Sequence, residues 1–143
     1  MLFRRAAGYY CSVDPHCGPH RLPFGVFVVE DSKDVLDALR TLVSEMESAR
    51  LVGCAGTVQE AVERIPACQP DVLILDIHLP DGTGLDILKV LRQAGQPLPI
   101  VIVLSTETDP RYRKAFESLG AAFYLDKALE FGRLAEICGS LAK

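Results

Sequence analysis

The sequence predicts an α/β domain in which five parallel strands alternate with five helices around a doubly wound sheet. Three observations carry this. Five short runs, at 25–29, 50–55, 72–76, 100–104 and 122–125, read as strands, with the apolar stretches 25–29 and 72–75 fitting strands buried on both faces. The stretches between them repeat apolar residues at helical spacing. Four of the five runs also end in an ionisable or hydroxyl residue. With 143 residues the chain holds one domain with a full core and is too short for two ordinary ones.

The first strand, Gly-Val-Phe-Val-Val, runs into Glu30 and Asp31. Ser32 is the predicted N-cap of a helix over 33–48, in which Val35, Leu36, Leu39, Leu42, Val43 and Met46 share a face. A second strand covers 50–55. Thr57, with Glu60 three residues on, forms a capping box for the second helix, whose stripe is Ala61, Val62 and Ile65 and which Pro66 helps to end. The third strand, 72–76, delivers Asp76 and is followed by Pro80, Gly82 and Gly84, residues of a turn. On this stretch alone, an Asp that caps a loop and an Asp placed for chemistry are equally good readings.

Gly84 precedes a third helix buried through Leu85, Leu88 and either Leu91 or Val90, and Gly95 ends it. The aliphatic fourth strand stops at Ser105 and Thr106. Asp109 as N-cap and Pro110 in the first turn open a fourth helix with Tyr112, Ala115, Phe116 and Leu119 on its apolar side, closed by Gly120. The fifth strand leads to Asp126 and Lys127. A last helix over 130–141 faces inward with Leu134, Ile137 and Leu141.

Residues 1–23 contain Pro15, Pro19 and Pro23 without helical or strand period and read as a flexible extension before a domain over 24–143. Cys11, His16, Cys17 and His20 do not have a recognised zinc spacing. The net charge of −4 and pI near 5.3 disfavour direct nucleic-acid binding, which runs on Lys and Arg against phosphate. No apolar run reaches the roughly 18 residues needed to span a bilayer, and the N-terminus lacks a signal-peptide core, so the expected location is the cytoplasm. The five cysteines form no regular framework and read as free thiols, with Cys54 and Cys138 in core positions.

Right-handed crossovers and a strand order of 2-1-3-4-5 put the switch point between strands 1 and 3, the edge where open α/β sheets bind ligands. Glu30, Asp31 and Asp76 then share that edge with Ser105 and Lys127. Three adjacent carboxylates demand a cation, and an all-oxygen set with room for water suits Mg²⁺. Asp76 is the central carboxylate and the natural nucleophile for an aspartyl phosphate. Lys127 supplies an ammonium for the transferred phosphoryl oxygens, and Ser105 a hydroxyl drawn toward them. Singly, each is an ordinary surface or loop residue. Their conjunction at successive strand ends is not.

On these motifs, namely Glu30-Asp31, Asp76-Ile-His-Leu-Pro80 with Gly84, Ser105 and Lys127, residues 24–143 resemble the receiver domain of two-component response regulators over about five sixths of the chain. The resemblance implies the flavodoxin-like receiver fold. It implies that Asp76 accepts phosphate from a histidine kinase or phosphotransfer protein. It places Mg²⁺ on Asp31, Asp76 and the backbone carbonyl of His78, with Glu30 acting through water, and it makes Tyr124 an aromatic switch coupled to Ser105. Such a chain is a signalling domain that catalyses only its own phosphorylation and dephosphorylation. Its output is a protein contact through the fourth helix, fifth strand and fifth helix, with a phosphorylation-dependent homodimer open. The chain stops after its last helix, like a stand-alone receiver or one cut from a longer protein.

Two departures stand out. The family usually has proline after the lysine, often with a cis bond, where this chain has Ala128, so a trans bond and a looser loop are expected. His78 occupies a variable position where its side chain bears on water access to the phosphate. Among rivals, a haloacid-dehalogenase phosphatase wants a second Asp where His78 stands. A nucleotide or flavin binder wants a Gly-rich loop where Glu30-Asp31-Ser32 stands. A degenerate receiver acting as a phosphorylation-independent interaction module is disfavoured by the intact acid, serine and lysine set.

Overall fold

The computed structural model describes residues 23–95 and 97–141. The expected extension lies outside the described residues except for Pro23, and so do Cys11, His16, Cys17 and His20. Within them, β1 (Phe24–Val29), α1 (Lys33–Ser44), β2 (Ala49–Ala55), α2 (Val58–Cys68) and β3 (Val72–Leu75) come first. The two-residue strands β4 (His78–Leu79) and β5 (Gly82–Thr83) follow, then α3 (Gly84–Gln93), β6 (Ile100–Ser105), α4 (Pro110–Ser118), β7 (Ala121–Asp126) and α5 (Arg133–Leu141).

The main sheet has the order β2-β1-β3-β6-β7, and every pairing in it is parallel. This is the expected 2-1-3-4-5 arrangement with β6 and β7 as its fourth and fifth strands. Side chains alternate between the two faces of each strand. Phe27, Val29, Leu73, Leu75, Val101 and Val103 pack with Ala61 and Ile65 of α2, Ile87, Leu88 and Leu91 of α3, and Phe116 of α4. Val26, Val28, Ile74, Ile102 and Leu104 pack on the other side with Leu39 and Val43 of α1 and Leu134, Ile137 and Cys138 of α5. Full burial of each such aliphatic or aromatic side chain is worth about 1.5–3 kcal/mol. The central strands β1, β3 and β6 therefore read as continuous apolar runs because both faces are covered, while the edge strands β2 and β7 are mostly half-buried.

The helix starts match their sequence signals. Ser32 accepts from Val35 N, Thr57 from Glu60 N, and Asp109 from Arg111 N with Pro110 in the first turn. Glu60 reaches back to Gly56 N, one residue before the cap.

Several boundaries differ from expectation. α1 stops at Ser44 because Ser48 is taken by the sheet, its carbonyl accepting from Phe24 N. Pro66 sits inside α2, which continues to Cys68 and turns off at Gln69 in the left-handed conformation (φ 45°). A proline two residues from a helix end removes one hydrogen bond without breaking the last turn. β3 ends at Leu75, leaving Asp76 just beyond it. In α3 the inward residues are Ile87, Leu88 and Leu91, Leu85 is only partly buried, and Val90 points out. α5 begins at Arg133 because residues 127–130 fold back on β7: Asp126 Oδ1 accepts from Ala128 N and Leu129 N, and Glu130 from Asp126 N. Every peptide bond among the described residues is trans. A proline at 128 would have no amide for that turn, so the Asp126 carboxylate organises the loop in its place.

Candidate functional site

The carboxyl ends of β1, β3, β6 and β7 converge on one edge of the sheet. Glu30 follows β1 directly and is buried, and its Oε2 accepts from Ser32 N at 3.0 Å. Asp31 is exposed. Asp76 leaves the sheet after β3, its amide bonded to Val29 O and its Oδ1 accepting from Ile77 N at 2.7 Å. Glu30, Asp31 and Asp76 each offer a carboxylate oxygen within 4.8 Å of the others.

Lys127, in the first turn after β7, reaches into this cluster. Its Nζ lies 3.0 Å from Glu30 Oε1 and 3.2 Å from Asp76 Oδ2. Its own amide donates to Ser105 O at 2.9 Å, which ties the lysine to the end of β6. Burial holds the Glu30 carboxyl above the ordinary glutamate range, with the Asp76 charge adding to it and the Ser32 amide and Lys127 opposing. Burial works to lower the Lys127 pKa, but hydrogen bonding to Glu30 and the charge of Asp76 outweigh it, and the ammonium lies above the usual lysine value.

The donor set is oxygen only, open on the Asp31 side. Three carboxylates against one ammonium leave two formal negative charges when all are ionised. That set fits a hard divalent cation that keeps part of its water.

Ser105 is buried at the end of β6, and its Oγ accepts from Glu107 N at 3.1 Å. The Glu107 carboxylate spans the mouth of the site. One oxygen lies 2.8 Å from His78 Nε2 and the other accepts from Asp109 N at 3.0 Å. The His78 ring is exposed and meets Tyr112 edge-on at 5.5 Å. The His78 hydrogen bond, followed by the Asp109 amide, keeps the Glu107 carboxyl below its ordinary range.

Tyr124 lies further along β7. Its ring packs on Phe116 with centroids 6.2 Å apart, and the Arg113 guanidinium stands 4.6 Å above it. The hydroxyl is buried without a hydrogen bond to any described residue, and burial raises its pKa. Tyr124 lines a cavity of about 240 Å³ with Glu107, Thr108, Asp109, Pro110, Arg113 and Asp126. The cavity is beside the β6–α4 loop rather than over Asp76.

The structure thus brings Glu30, Asp31, Asp76 and Lys127 into one cluster and puts Ser105 and His78 on its flanks. Tyr124 stands apart on the neighbouring face. Sequence reasoning missed Glu107, which bridges the loops after β3 and β6. Its only signal was an acid two residues after a strand-end serine. It also missed Asp126 and Glu130 as the residues that shape the Lys127 turn.

Comparison with known proteins gives the family of the fold. The family model described as "Response regulator receiver domain" matches residues 26–138. The DNA-binding transcriptional activator DevR/DosR of Mycobacterium tuberculosis is 36% identical over 110 residues, covering 77% of this chain and 50% of that protein. The chain spans about half or less of the length of the curated relatives it matches. Among solved structures, the receiver domain of the putative response regulator NarL from Mycobacterium tuberculosis superposes with TM-score 0.76 at 25% identity, covering 85% of this chain and 97% of that one. A CheX-CheY-BeF3-Mg complex from Borrelia burgdorferi gives TM-score 0.75 at 23% identity over 84% and 90% of the two chains, a likeness of fold alone. No described helix is long and apolar enough to cross a membrane. With the family pattern matched over nearly the whole described domain, the chain belongs to the response regulator receiver domains of two-component systems.

Proposed function

We infer that this domain, over 24–143, is a phosphoryl-accepting switch in which Asp76 takes a phosphoryl group from a phosphohistidine of a histidine kinase or phosphotransfer protein. The observation that carries the reading is the Lys127 ammonium bonded to both Glu30 and Asp76, with Asp31 within reach of the same cluster. In the transfer a carboxylate oxygen of Asp76 attacks phosphorus as the P–N bond of the donor breaks. The imidazole nitrogen keeps the electron pair and takes up a proton. The Ile77 amide holds one Asp76 oxygen in place and Lys127 the other. Asp31, Asp76 and the His78 carbonyl, with Glu30 through water, would hold Mg²⁺, which would supply positive charge against the phosphoryl oxygens.

Ser105 provides the link to the rest of the domain. In the bond from the Glu107 amide its oxygen is the acceptor, so its own O–H remains to donate to a phosphoryl oxygen. The phosphoryl group adds about −1.5 to −2 charge. Drawing Ser105 toward it pulls on the β6–α4 loop, which also lines the Tyr124 cavity. A change there alters the α4–β7–α5 face, the surface for a downstream protein or a second phosphorylated copy in the cytoplasm.

The test is intact-protein mass after incubation with Mg²⁺ and a small acyl-phosphate donor. One added phosphoryl group is expected in the wild type, and none in Asp76→Asn or with a chelator. An unmodified wild type that also fails to bind beryllium fluoride overturns the reading.

A further inference from the structure

Asp81 stands at the tip of the turn between β4 and β5, exposed to solvent, and its carboxylate reaches a different element. Oδ1 accepts from Val58 N at 2.7 Å and Oδ2 from Gln59 N at 3.0 Å. It thereby covers the first two amides of α2 from more than twenty residues away. Those bonds hold its carboxyl below the ordinary aspartate range, and a negative charge at a helix N-terminus is favourable in itself.

α2 has caps of its own. Thr57 Oγ1 accepts from Glu60 N, and the Thr57 carbonyl from Ala61 N. Glu60 turns back to Gly56 N. The local sequence signals therefore start the helix, and the bonds from Asp81 act in the other direction: the helix anchors the loop.

The loop needs an anchor. The β4–β5 ladder has two residue pairs, His78 with Thr83 and Leu79 with Gly82, and isolated hairpins even longer than this are marginal in water. Its base is fixed, since Asp76 N bonds to Val29 O and Gly84 N to Ile77 O. A Cβ on Gly82 would lie 3.1 Å from Val58 Cγ2, so the turn is already seated against α2. On the opposite flank the exposed His78–Glu107 pair is a surface contact of small worth. Thr83 N donates to Asp86 Oδ2 at 2.9 Å and ties the foot of the turn to α3, so at the tip itself the two Asp81 bonds to backbone amides are the main anchor.

We propose that Asp81 is a positioning residue for the cation: by clamping the β4–β5 tip to the first turn of α2 it holds the His78 backbone carbonyl in place beside Asp76. This rests on the Mg²⁺ site of the proposed function. It also joins α2 mechanically to the phosphoacceptor loop, so a load on either is felt by the other.

Three variants test it by Mg²⁺ titration, followed by calorimetry and by the backbone amide shifts of Ile77, His78 and Leu79, alongside thermal unfolding in chelator. Asp81→Ala removes both acceptors and is expected to weaken Mg²⁺ binding about tenfold, the usual scale for losing a residue that orients a metal ligand. Val58→Pro removes one of the clamp's two donors from the helix side, at the first helical position where proline is well tolerated, and is expected to weaken binding several-fold. Asp81→Asn keeps one acceptor oxygen and falls between. A residue that only capped α2 would lower the melting temperature and leave Mg²⁺ affinity unchanged, so folded variants with wild-type affinity overturn the proposal. If Asp81→Ala does not fold, the other two variants decide. A wild type that binds no Mg²⁺ would overturn the cation site itself, which is a different result from a wild type that binds and variants that bind equally.

Discussion

Replacing Lys127 by Met tests whether the ammonium is structural to the acid cluster or merely nearby. Met keeps most of the stem's packing and removes the charge. The ammonium lies 3.0 Å from Glu30 and 3.2 Å from Asp76. At an effective dielectric constant of about 20, each contact is worth about 5 kcal/mol before desolvation. Withdrawing the ammonium from water costs several kcal/mol, which cancels much of that gain. What remains in the variant is worse than the loss of a contact: two carboxylates, with side chains 2% and 10% exposed, face each other without a cation. Breaking a buried pair in this way costs about 3–5 kcal/mol. The opening on the Asp31 side lets water in and lets Glu30 take up a proton, so a loss of about 2–4 kcal/mol at pH 7.5 in chelator is the expected result.

The pH dependence fixes the sign. The Glu30 carboxyl is already raised in the folded protein, and the variant raises it further by removing a neighbour that lowers it. A carboxyl whose folded pKa exceeds its unfolded one stabilises the fold below the unfolded value and loses that contribution as pH rises through the folded value. The gap between variant and wild type therefore widens from pH 4.5 to 7.5. Mg²⁺ supplies a replacement cation and narrows it again. Urea unfolding followed by far-UV circular dichroism, in chelator at both pH values and then with Mg²⁺, measures all three effects. A loss below about 0.5 kcal/mol at pH 7.5, the range of ordinary surface substitutions, or one independent of pH, would show that Lys127 is a surface lysine and refute the reasoning.

Two further substitutions probe the scaffold around the cluster. A Cβ at position 84 would lie 2.6 Å from the Asp76 carbonyl oxygen and 3.0 Å from Leu75 Cγ. Gly84→Ala should therefore destabilise by about 1–3 kcal/mol through overpacking, although alanine is the better helix former by about 1 kcal/mol. Chemical denaturation reads the difference, and a stabilised variant would mean that the strand end and α3 can separate without cost. Tyr124→Phe removes a buried hydroxyl that has no partner among the described residues. It should be neutral or stabilising by up to about 1 kcal/mol in the unphosphorylated protein, and a clear loss of stability in the same denaturation assay would show that the hydroxyl is satisfied in solution.

The fold was legible because its elements are strongly patterned and locally consistent. The aliphatic runs of β1, β3 and β6 read as strands covered on both faces, and Ser32, Thr57 and Asp109 announce helix starts that the structure keeps. The site was legible for a related reason: in a parallel sheet, a residue just past a strand's carboxyl end is placed by topology alone, so Glu30, Asp31, Asp76, Ser105 and Lys127 fall together once the strand order is known. What escaped is whatever depends on how a loop returns. α1 and α5 are shorter than their apolar periods because Ser48 and residues 127–130 bond back to strands, and no periodicity reports that competition. The Pro80-Asp81-Gly82 turn reads as a turn, yet its carboxylate is spent on α2, a partner no local rule names. Glu107 likewise acquires its place only when His78 arrives from another strand's loop. Of the unforeseen residues, Asp81, Glu107 and Glu130 share one property: each is a charged side chain that ties a loop at this edge of the sheet to another element without belonging to the acid cluster. A chain that conserved the cluster and lost these ties would still look like a receiver in sequence while holding the loop after Asp76 less firmly, so differences in metal affinity among such domains should track the ties more than the cluster.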